Sequence, residues 1–356
     1  MHIPDGYLSP VTCAVLFAAA APFWAIALNR VKRLLNTKLV PLLSVFAAFS
    51  FVIMMFNIPL PGGTTGHAIG VGIAAIVLGP WGSMLAISVA LLIQALFFGD
   101  GGITAFGANC FNMAIVGSLV ASAVYRIAAH KAAITSTRRV VAASLAGYAA
   151  INAAAFLAAI EFGIQPLLFH DASGAPLYAP YPLSIAIPAM MLGHLTFAGL
   201  AELITAGGVV AYLQRSDPSL LKMTAPDAPP ENSTEKSGWR VTKPLWIGLA
   251  ALMIATPLGL LAAGTAWGEW SAEDFAKPEM REQIAAASQN QTPPVAPPEG
   301  LAKLSSVWTA PIPDYAPAFM NSPAFGYIMS AMFGAGLIIA VFLVIGWILN
   351  FISRRK

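Results

Sequence analysis

Nine nearly uncharged apolar stretches constrain this chain more than any other feature of its sequence. A membrane admits only segments that hydrogen-bond their backbone internally, and an apolar run of about 20 residues does so as a helix. Only 10% of the 356 residues are charged, against about 25% in soluble globular domains. The chain is therefore predicted to be an all-α polytopic membrane protein. The predicted spans are 11–29, 39–57, 67–79, 81–98, 106–125, 140–160, 184–213, 244–264 and 326–352.

Positive charges alternate along the chain in step with these nine spans. Sixteen of the 19 lysines and arginines fall in four segments, 30–38, 126–139, 214–243 and 354–356. With nine spans all four segments lie on one side, which the positive-inside rule assigns to the cytoplasm. Merging the third and fourth spans would break this alternation. We expect a multi-pass protein of the cytoplasmic (inner) membrane with an external N-terminus and a cytoplasmic C-terminus.

A composition shift divides the chain into two predicted domains. Segment 214–243 is rich in proline, serine and charge and is typical of a cytoplasmic linker. It separates a domain with seven membrane helices, residues 1–213, from an accessory domain, residues 244–356, with two. Between these two helices lies an external segment, 265–325, whose stretch QNQTPPVAPPEG is expected to be loosely ordered.

Met1 and His2 together form a potential chelator for a transition metal. The opening MHIPDGYLSP lacks the features of a signal peptide, so Met1 is expected to begin the mature chain. The Met1 amine, the His2 amide nitrogen and the His2 imidazole can close a five-membered and a six-membered ring on one ion. His67 follows the glycine-rich loop IPLPGGTTG on the same predicted side and would complete a square. Square-planar nitrogen coordination favours Ni(II) or Cu(II).

Three asparagines lie in or beside apolar spans and allow two interpretations. Asn109 and Asn112 are three residues apart and share one face of the fifth span, and Asn57 ends the second. These side chains either support the metal ligands by hydrogen bonds or join helices to one another.

Other polar and small residues are weaker candidates. Glu202 and His194 lie in the seventh span, where an ionisable side chain suggests a function. Glu202 is placed toward the cytoplasmic half, where contact with a partner protein is at least as plausible as a role at the metal. His170 and Asp171 are read as part of a solvated external loop.

Three motifs resemble a known family of metal importers. The opening MHIPDGYLSP, the stretch PLPGGTTGHAIG around His67 and FGANCFNMAIVG in the fifth span are similar to the substrate-capture (S) subunit of energy-coupling-factor nickel/cobalt importers, the NikM/CbiM type. The resemblance covers residues 1–213. It implies a seven-helix S component that holds the transported metal with the Met1 amine, the His2 amide nitrogen and side chain, and the His67 side chain. Residues 240–356 resemble the accessory two-helix (NikN-like) subunit.

The same resemblance implies partners that this chain lacks. No GxxxxGK[ST] phosphate loop occurs, so ATP would be hydrolysed by separate ATP-binding cassette subunits, and this chain is not expected to be an enzyme. A transmembrane coupling (T) subunit would contact the first span, where Ala14 and Ala18 are spaced for close helix approach. Packing within the bundle is the alternative for these two alanines. Membrane lipid surrounds the protein, and no nucleic acid is expected.

The sequence leaves three functional hypotheses open. The first is capture of Ni(II) for an ATP-driven importer, with Co(II) as an alternative substrate. The second is a self-contained secondary transporter, which needs intramembrane carboxylates or proton relays, and only Glu202 fits that need clearly. The third is a membrane sensor or assembly scaffold that binds metal without transporting it.

Overall fold

The computed structural model describes residues 1–34, 39–60, 63–229, 239–262, 264–316 and 320–353. In this part of the chain, seven helices are long and apolar enough to cross a membrane, and one further apolar helix is shorter. The polytopic helical class is confirmed. The eight apolar helices are α1 (Pro10–Leu34), α2 (Leu39–Met54), α3 (Val71–Ile93), α4 (Phe106–Ala128), α5 (Thr137–Gly163), α6 (Leu183–Ser216), α7 (Trp239–Ala255) and α8 (Pro323–Ser353).

Several of these helices are locally irregular or are followed by short ones. Wider, π-helical stretches are Gln94–Phe98 after α3, Cys110–Val116 within α4 and His194–Ala198 within α6. The 3-10 helices are Thr256–Leu261, Ala272–Ala276 and Pro313–Tyr315. The remaining short helices are Gln165–Leu168, Ser219–Lys222, Pro278–Ala287 and Glu299–Leu304.

The apolar stretch that contains α3 reverses direction in its middle. A straight helix of this 28-residue stretch would be about 42 Å long. Yet the His67 ring, just before its start, lies 5.1 Å from the His2 ring, and Asp100, just after its end, lies 2.9 Å from His2 Nδ1. The turn falls at Gly79, whose φ of 73° and ψ of 169° are not helical and whose missing Cβ permits them. This reversal supports the prediction of two separate helices, although the first begins at Val71 rather than at His67.

A small antiparallel hairpin departs from the purely helical prediction. Strands β1 (Ile58–Leu60) and β2 (Thr64–Gly66) pair, with Ile58 opposite Gly66. The Leu60 side chain packs over Gly66 and over Gly193 of α6, where a Cβ atom would come within 2.9 Å and 2.6 Å of Leu60 Cδ1. The hairpin therefore fits closely against α6 and fixes the position of His67, which follows β2 directly.

Two of the predicted basic segments, 126–139 and 214–243, meet at one end of the bundle. The Gln214 side chain donates to the carbonyls of Ile134 and Ser136, and the Lys131 backbone donates to Asp227. Thr224 donates to the Ile76 carbonyl, beside the reversal of α3. The rest of the predicted linker, 230–238, part of the first basic loop, 35–38, and the tail, 354–356, lie outside the described residues.

The described part of segment 265–325 is folded, and the expectation of loose order for its proline-rich stretch is wrong. Arg281 donates to the carbonyls of Pro293 and Pro294, so one guanidinium holds this stretch against Pro278–Ala287. The segment also packs on the first domain. Tyr7 donates its hydroxyl to the Trp270 carbonyl at 2.7 Å. Residues 263 and 317–319 lie outside the described part of the chain.

Candidate metal centre

The structure brings Met1, His2 and His67 together in a buried position at one end of the bundle. Their exposed fractions are 3%, 1% and 5%, and the two imidazole rings are tilted by 32°. Among the described residues, no group of three or more His, Cys, Asp or Glu side chains could hold a metal ion. A metal centre here therefore has to use main-chain nitrogens as well as imidazoles. We call the Met1 amine, the His2 amide and imidazole, and the His67 imidazole the candidate centre.

Asn109 fixes the N-terminal segment directly beside His2. Its side-chain oxygen accepts from the Ile3 backbone N–H at 2.8 Å, and its amide group donates to the Ile3 carbonyl at 3.1 Å. Two residues on, Asp5 accepts the backbone N–H groups of Ile103 and Thr104 at 3.1 and 2.7 Å. These bonds favour the interpretation of Asn109 as a support for the metal ligands.

The other two asparagines lie elsewhere. Asn112 donates to Glu161 at 2.8 Å and so joins α4 to α5. Asn57 follows α2, where its backbone packs against Gly259 of the accessory domain. Within the described residues, neither of these side chains hydrogen-bonds to the candidate centre. Sequence reasoning missed Glu161, although a lone carboxylate in an alanine-rich helix is a visible signal.

Glu202 anchors the loop that carries His67, and the predicted contact of Glu202 with a partner protein is wrong. Its carboxylate is completely buried in the bundle. It accepts the backbone N–H groups of Ile69, Gly70 and Gly72 at 2.7, 2.8 and 3.0 Å. These groups lie at the start of α3, where backbone N–H groups lack helical partners and favour a negative charge. Glu202 therefore holds two of the three residues that connect His67 to α3.

Two carboxylates that sequence reasoning missed contact the candidate centre. Asp100 Oδ1 lies 2.9 Å from His2 Nδ1, and Glu269 Oε1 lies 3.1 Å from the Met1 amine. Glycines on both sides of Asp100 were a usable signal for a tight functional loop. Nothing in the sequence indicated that Glu269, in the accessory domain, would reach Met1.

Burial and nearby charges set the protonation states around the centre. Burial lowers the pKa of His67 well below its usual value, and the neighbouring His2 and terminal amine lower it further. His67 is therefore neutral at neutral pH, which is the form that binds metals. Burial raises the pKa of Asp100, but the close His2 ring, His67 and the Tyr315 hydroxyl outweigh burial and keep this pKa below its usual range.

The accessory domain also holds Asp100 in place. The Tyr315 hydroxyl donates to Asp100 Oδ2 at 2.5 Å. Gln94 donates to the same oxygen at 3.0 Å and to the Tyr315 hydroxyl at 2.9 Å. One oxygen of Asp100 thus contacts His2, while the other is held by residues of both domains.

Two protein-family models match the chain. A model of the cobalt uptake substrate-specific transmembrane region, CbiM, matches residues 2–220, more than half of the chain. The chain belongs to the CbiM family. A second model, the PDGLE domain, matches residues 242–351.

Relatives and solved structures agree with this family. A fused nickel transport protein NikMN from Rhodobacter capsulatus is 60% identical over 340 residues, which cover 96% of this chain and 95% of that protein. A probable fused nickel transport protein LarMN from Lactiplantibacillus plantarum is 43% identical over 288 residues, or 80% and 82% of the two chains. A crystal structure of a transition metal transporter is 50% identical, with a TM-score of 0.57, and covers 63% of this chain and 98% of that one.

Two further histidines of this CbiM family member, His194 and His170, contact backbone carbonyls of their own segments. His194 begins the π-helical stretch of α6, where its Nδ1 lies 2.7 Å from the Met190 carbonyl oxygen. His170 is exposed beside Asp171, whose carboxylate accepts from Ser173 and Ala175 within a turn. His170 and Asp171 thus belong to an exposed loop, as the sequence indicated.

Ala14 and Ala18 lie on an open face of α1. Both are exposed, and the neighbouring Val11 and Val15 are 62% and 61% exposed. This face does not pack within the described bundle, so the alternative of internal packing is wrong. Contact with a partner subunit stays a prediction.

Proposed function

We propose that this chain is the metal-capturing S component of an ATP-driven energy-coupling-factor nickel importer, fused to its accessory domain. The observation that carries the proposal is the burial of the Met1 amine with the His2 and His67 rings, which lie 5.1 Å apart. The names of the relatives, a fused nickel transport protein and a probable one, support Ni(II) as the substrate. Co(II) is the alternative, since cobalt transport proteins CbiM are also similar to this chain.

Capture in this proposal exchanges protein contacts for metal bonds. The metal displaces protons from the amine and from the His2 amide, so binding weakens as the pH falls. The six-membered ring needs His2 Nδ1, which has a single lone pair and lies 2.9 Å from Asp100 in the structure. Asp100 therefore releases His2 Nδ1 when the ion binds.

Orientation and partners complete the proposal. We place Met1 at the external face of the cytoplasmic (inner) membrane and the basic segments in the cytoplasm. Residues 1–213 act as the capture domain, 214–243 as the linker and 244–356 as the accessory domain. A T subunit and ATP-binding cassette subunits drive the capture domain to open inward. The abundant exposed apolar side chains contact lipid.

A secondary transporter is the competing function. The three backbone hydrogen bonds of Glu202 argue against it, because that carboxylate is committed to holding the loop. Uptake of radioactive nickel by cells expressing the chain with and without the T and ATPase subunits separates the hypotheses. Uptake only with all subunits supports our proposal. Uptake by the chain alone supports a secondary transporter, and binding without any uptake supports a sensor.

Replacing His67 with alanine is expected to remove tight nickel binding. The substitution His67→Ala deletes one of four proposed nitrogen ligands. Because loss of a residue that merely supports a ligand typically costs 10- to 100-fold in affinity, we expect a loss of more than about 100-fold. Calorimetric titration of the purified full chain with Ni(II) measures this. His170→Ala, in the exposed loop, is the matched control and should bind as the native protein does. Equal affinities for the two variants would contradict the proposal.

Enlarging Ala18 is expected to weaken binding of the coupling subunit. Ala18→Leu fills the open face of α1, and overpacking of a close contact costs about 1–3 kcal/mol. The affinity for the T subunit should therefore fall about 5- to 150-fold, which reduces co-purification, while nickel binding is retained. Ala123→Leu, on an exposed face of α4, controls for the added bulk. Undiminished co-purification would show that the α1 face contacts lipid only.

A further inference from the structure

Glu269 joins the accessory domain to the first residue of the chain. Its Oε1 atom lies 3.1 Å from the Met1 amine, across 268 residues of sequence. The Met1 side chain is buried, whereas about a fifth of the Glu269 side chain is exposed. A residue of one domain thus contacts a proposed metal ligand of the other.

The segment around Glu269 is rigidly placed. Trp267 and Trp270 on either side are buried, and the Trp267 indole N–H donates to Ser288 at 3.1 Å. Gly268 has a φ of +82°, and a Cβ atom there would lie 2.9 Å from the Phe162 ring. Only glycine fits this position. The backbone that carries Glu269 is therefore placed by packing against α5, independently of Met1.

The chemistry of an amine distinguishes Glu269 from Asp100. A metal-bound primary amine uses its lone pair for the metal and keeps two N–H groups. A carboxylate that accepts one of them stays in place during coordination. Asp100 contacts His2 Nδ1, whose single lone pair the metal needs. Glu269 can therefore keep its contact with the Met1 amine while the metal binds, whereas Asp100 has to lose its contact with His2 Nδ1.

The Met1 amine has the greatest need for such a partner. In the proposed function the Met1 nitrogen is a free amine rather than part of a peptide plane, so only its contacts restrict its orientation. Fixing a freely rotating group when the metal binds costs free energy, and fixing it beforehand removes that cost. Partners that orient metal ligands typically contribute 10- to 100-fold in affinity.

We propose that Glu269 is a positioning residue that orients the Met1 amine for nickel binding. The accessory domain thereby takes part in metal capture through one carboxylate. This inference rests on the proposed function, in which the amine is a ligand. Tyr315 belongs to the same external segment as Glu269 and donates to Asp100, so this segment contacts the surroundings of the candidate centre at a second place.

Variants of the full chain test the inference. Glu269→Ala removes the acceptor and should weaken Ni(II) binding by about 10- to 100-fold. Glu269→Gln keeps an acceptor oxygen and should recover most of that loss. Both are measured by calorimetry, together with the visible absorption of square-planar Ni(II). A purely structural role would not separate the two variants in this way. Glu273→Ala, an exposed glutamate nearby, should match the native protein.

Each outcome of these measurements either supports or overturns the role of Glu269. Native affinity and spectrum in Glu269→Ala would overturn the inference. Should Glu269→Ala fail to fold, Glu269→Gln decides: near-native affinity supports an acceptor role, and a loss as large as that from removing a ligand contradicts it. Failure of the proposed function is seen separately, because His67→Ala would then bind Ni(II) as the native protein does.

Discussion

Inserting two leucines between Met1 and His2 is expected to abolish tight Ni(II) binding. The amine and the His2 imidazole share two fused chelate rings only when they belong to consecutive residues. Two extra residues move the amine by up to about 7 Å along the chain, so the rings open. The amine also leaves Glu269, which it contacts at 3.1 Å. We expect a loss of affinity of more than about 100-fold and loss of the yellow colour of square-planar Ni(II).

The details of the insertion matter. One inserted residue would create an X-X-His terminus, which itself binds Ni(II) through the amine, two amides and the imidazole. A large residue after Met1 keeps the initiator methionine in place, and mass spectrometry of the product verifies this. The matched control is the same Leu-Leu insertion after Gly174, in an exposed turn. Unchanged affinity in the N-terminal variant would show that the terminus is not a ligand, and would leave His67 and His194 as the places to search.

The sequence predicted those parts of the molecule in which one residue type has one physical explanation. Long uncharged stretches indicated the membrane helices. Gly79 before Pro80 and the alternation of positive charges indicated a reversal within one apolar stretch, and the contacts of His2 with both ends support it. His2 beside a terminal amine suggested chelation, because only consecutive residues close the two rings.

Side-chain contacts between distant parts of the chain could not be predicted from the sequence. Glu202 follows Gly70 by 132 residues, and its side chain bonds to backbone N–H groups that every residue carries. No pattern in a single sequence marks such a partner. Glu269 and Tyr315 belong to a segment that was expected to be partly loose, and its order depends on Arg281 binding proline carbonyls. Both contacts arise only when the two domains pack together.

This packing gives the fused arrangement a physical meaning. The capture domain supplies the proposed ligands. The accessory domain supplies Glu269 and the Tyr315 hydroxyl that binds Asp100, and its Trp270 carbonyl accepts from Tyr7 of the capture domain. A domain that contributes no ligand can thus influence the orientation of the metal-binding groups. Changes in the accessory domain are then expected to alter nickel affinity without altering the set of ligands.

Replacing Glu202 with alanine is expected to destabilise the protein and to remove tight nickel binding. The substitution leaves three buried backbone N–H groups without their carboxylate, at Ile69, Gly70 and Gly72. An unsatisfied buried group costs about 1–3 kcal/mol, so we expect a free-energy loss of at least about 3 kcal/mol. Because these residues connect His67 to α3, His67 loses its fixed position and affinity falls by more than about 100-fold. Thermal unfolding in detergent and Ni(II) calorimetry measure the two effects.

Glu161 offers a matched comparison for this prediction, because it is a second buried carboxylate within the bundle. Glu161→Gln keeps an acceptor for Asn112, and the hydrogen bonds described for Glu161 are to Asn112 and Gln165 rather than to the His67 loop, so this variant should bind nickel nearly as the native protein does. Glu202→Gln keeps one acceptor oxygen and turns the other into a donor that faces N–H groups, so it should fall between native and alanine. If Glu202→Ala bound Ni(II) normally, the loop would hold His67 without its carboxylate. The anchor would then have to be the hairpin, where Leu60 packs over Gly66 and Gly193.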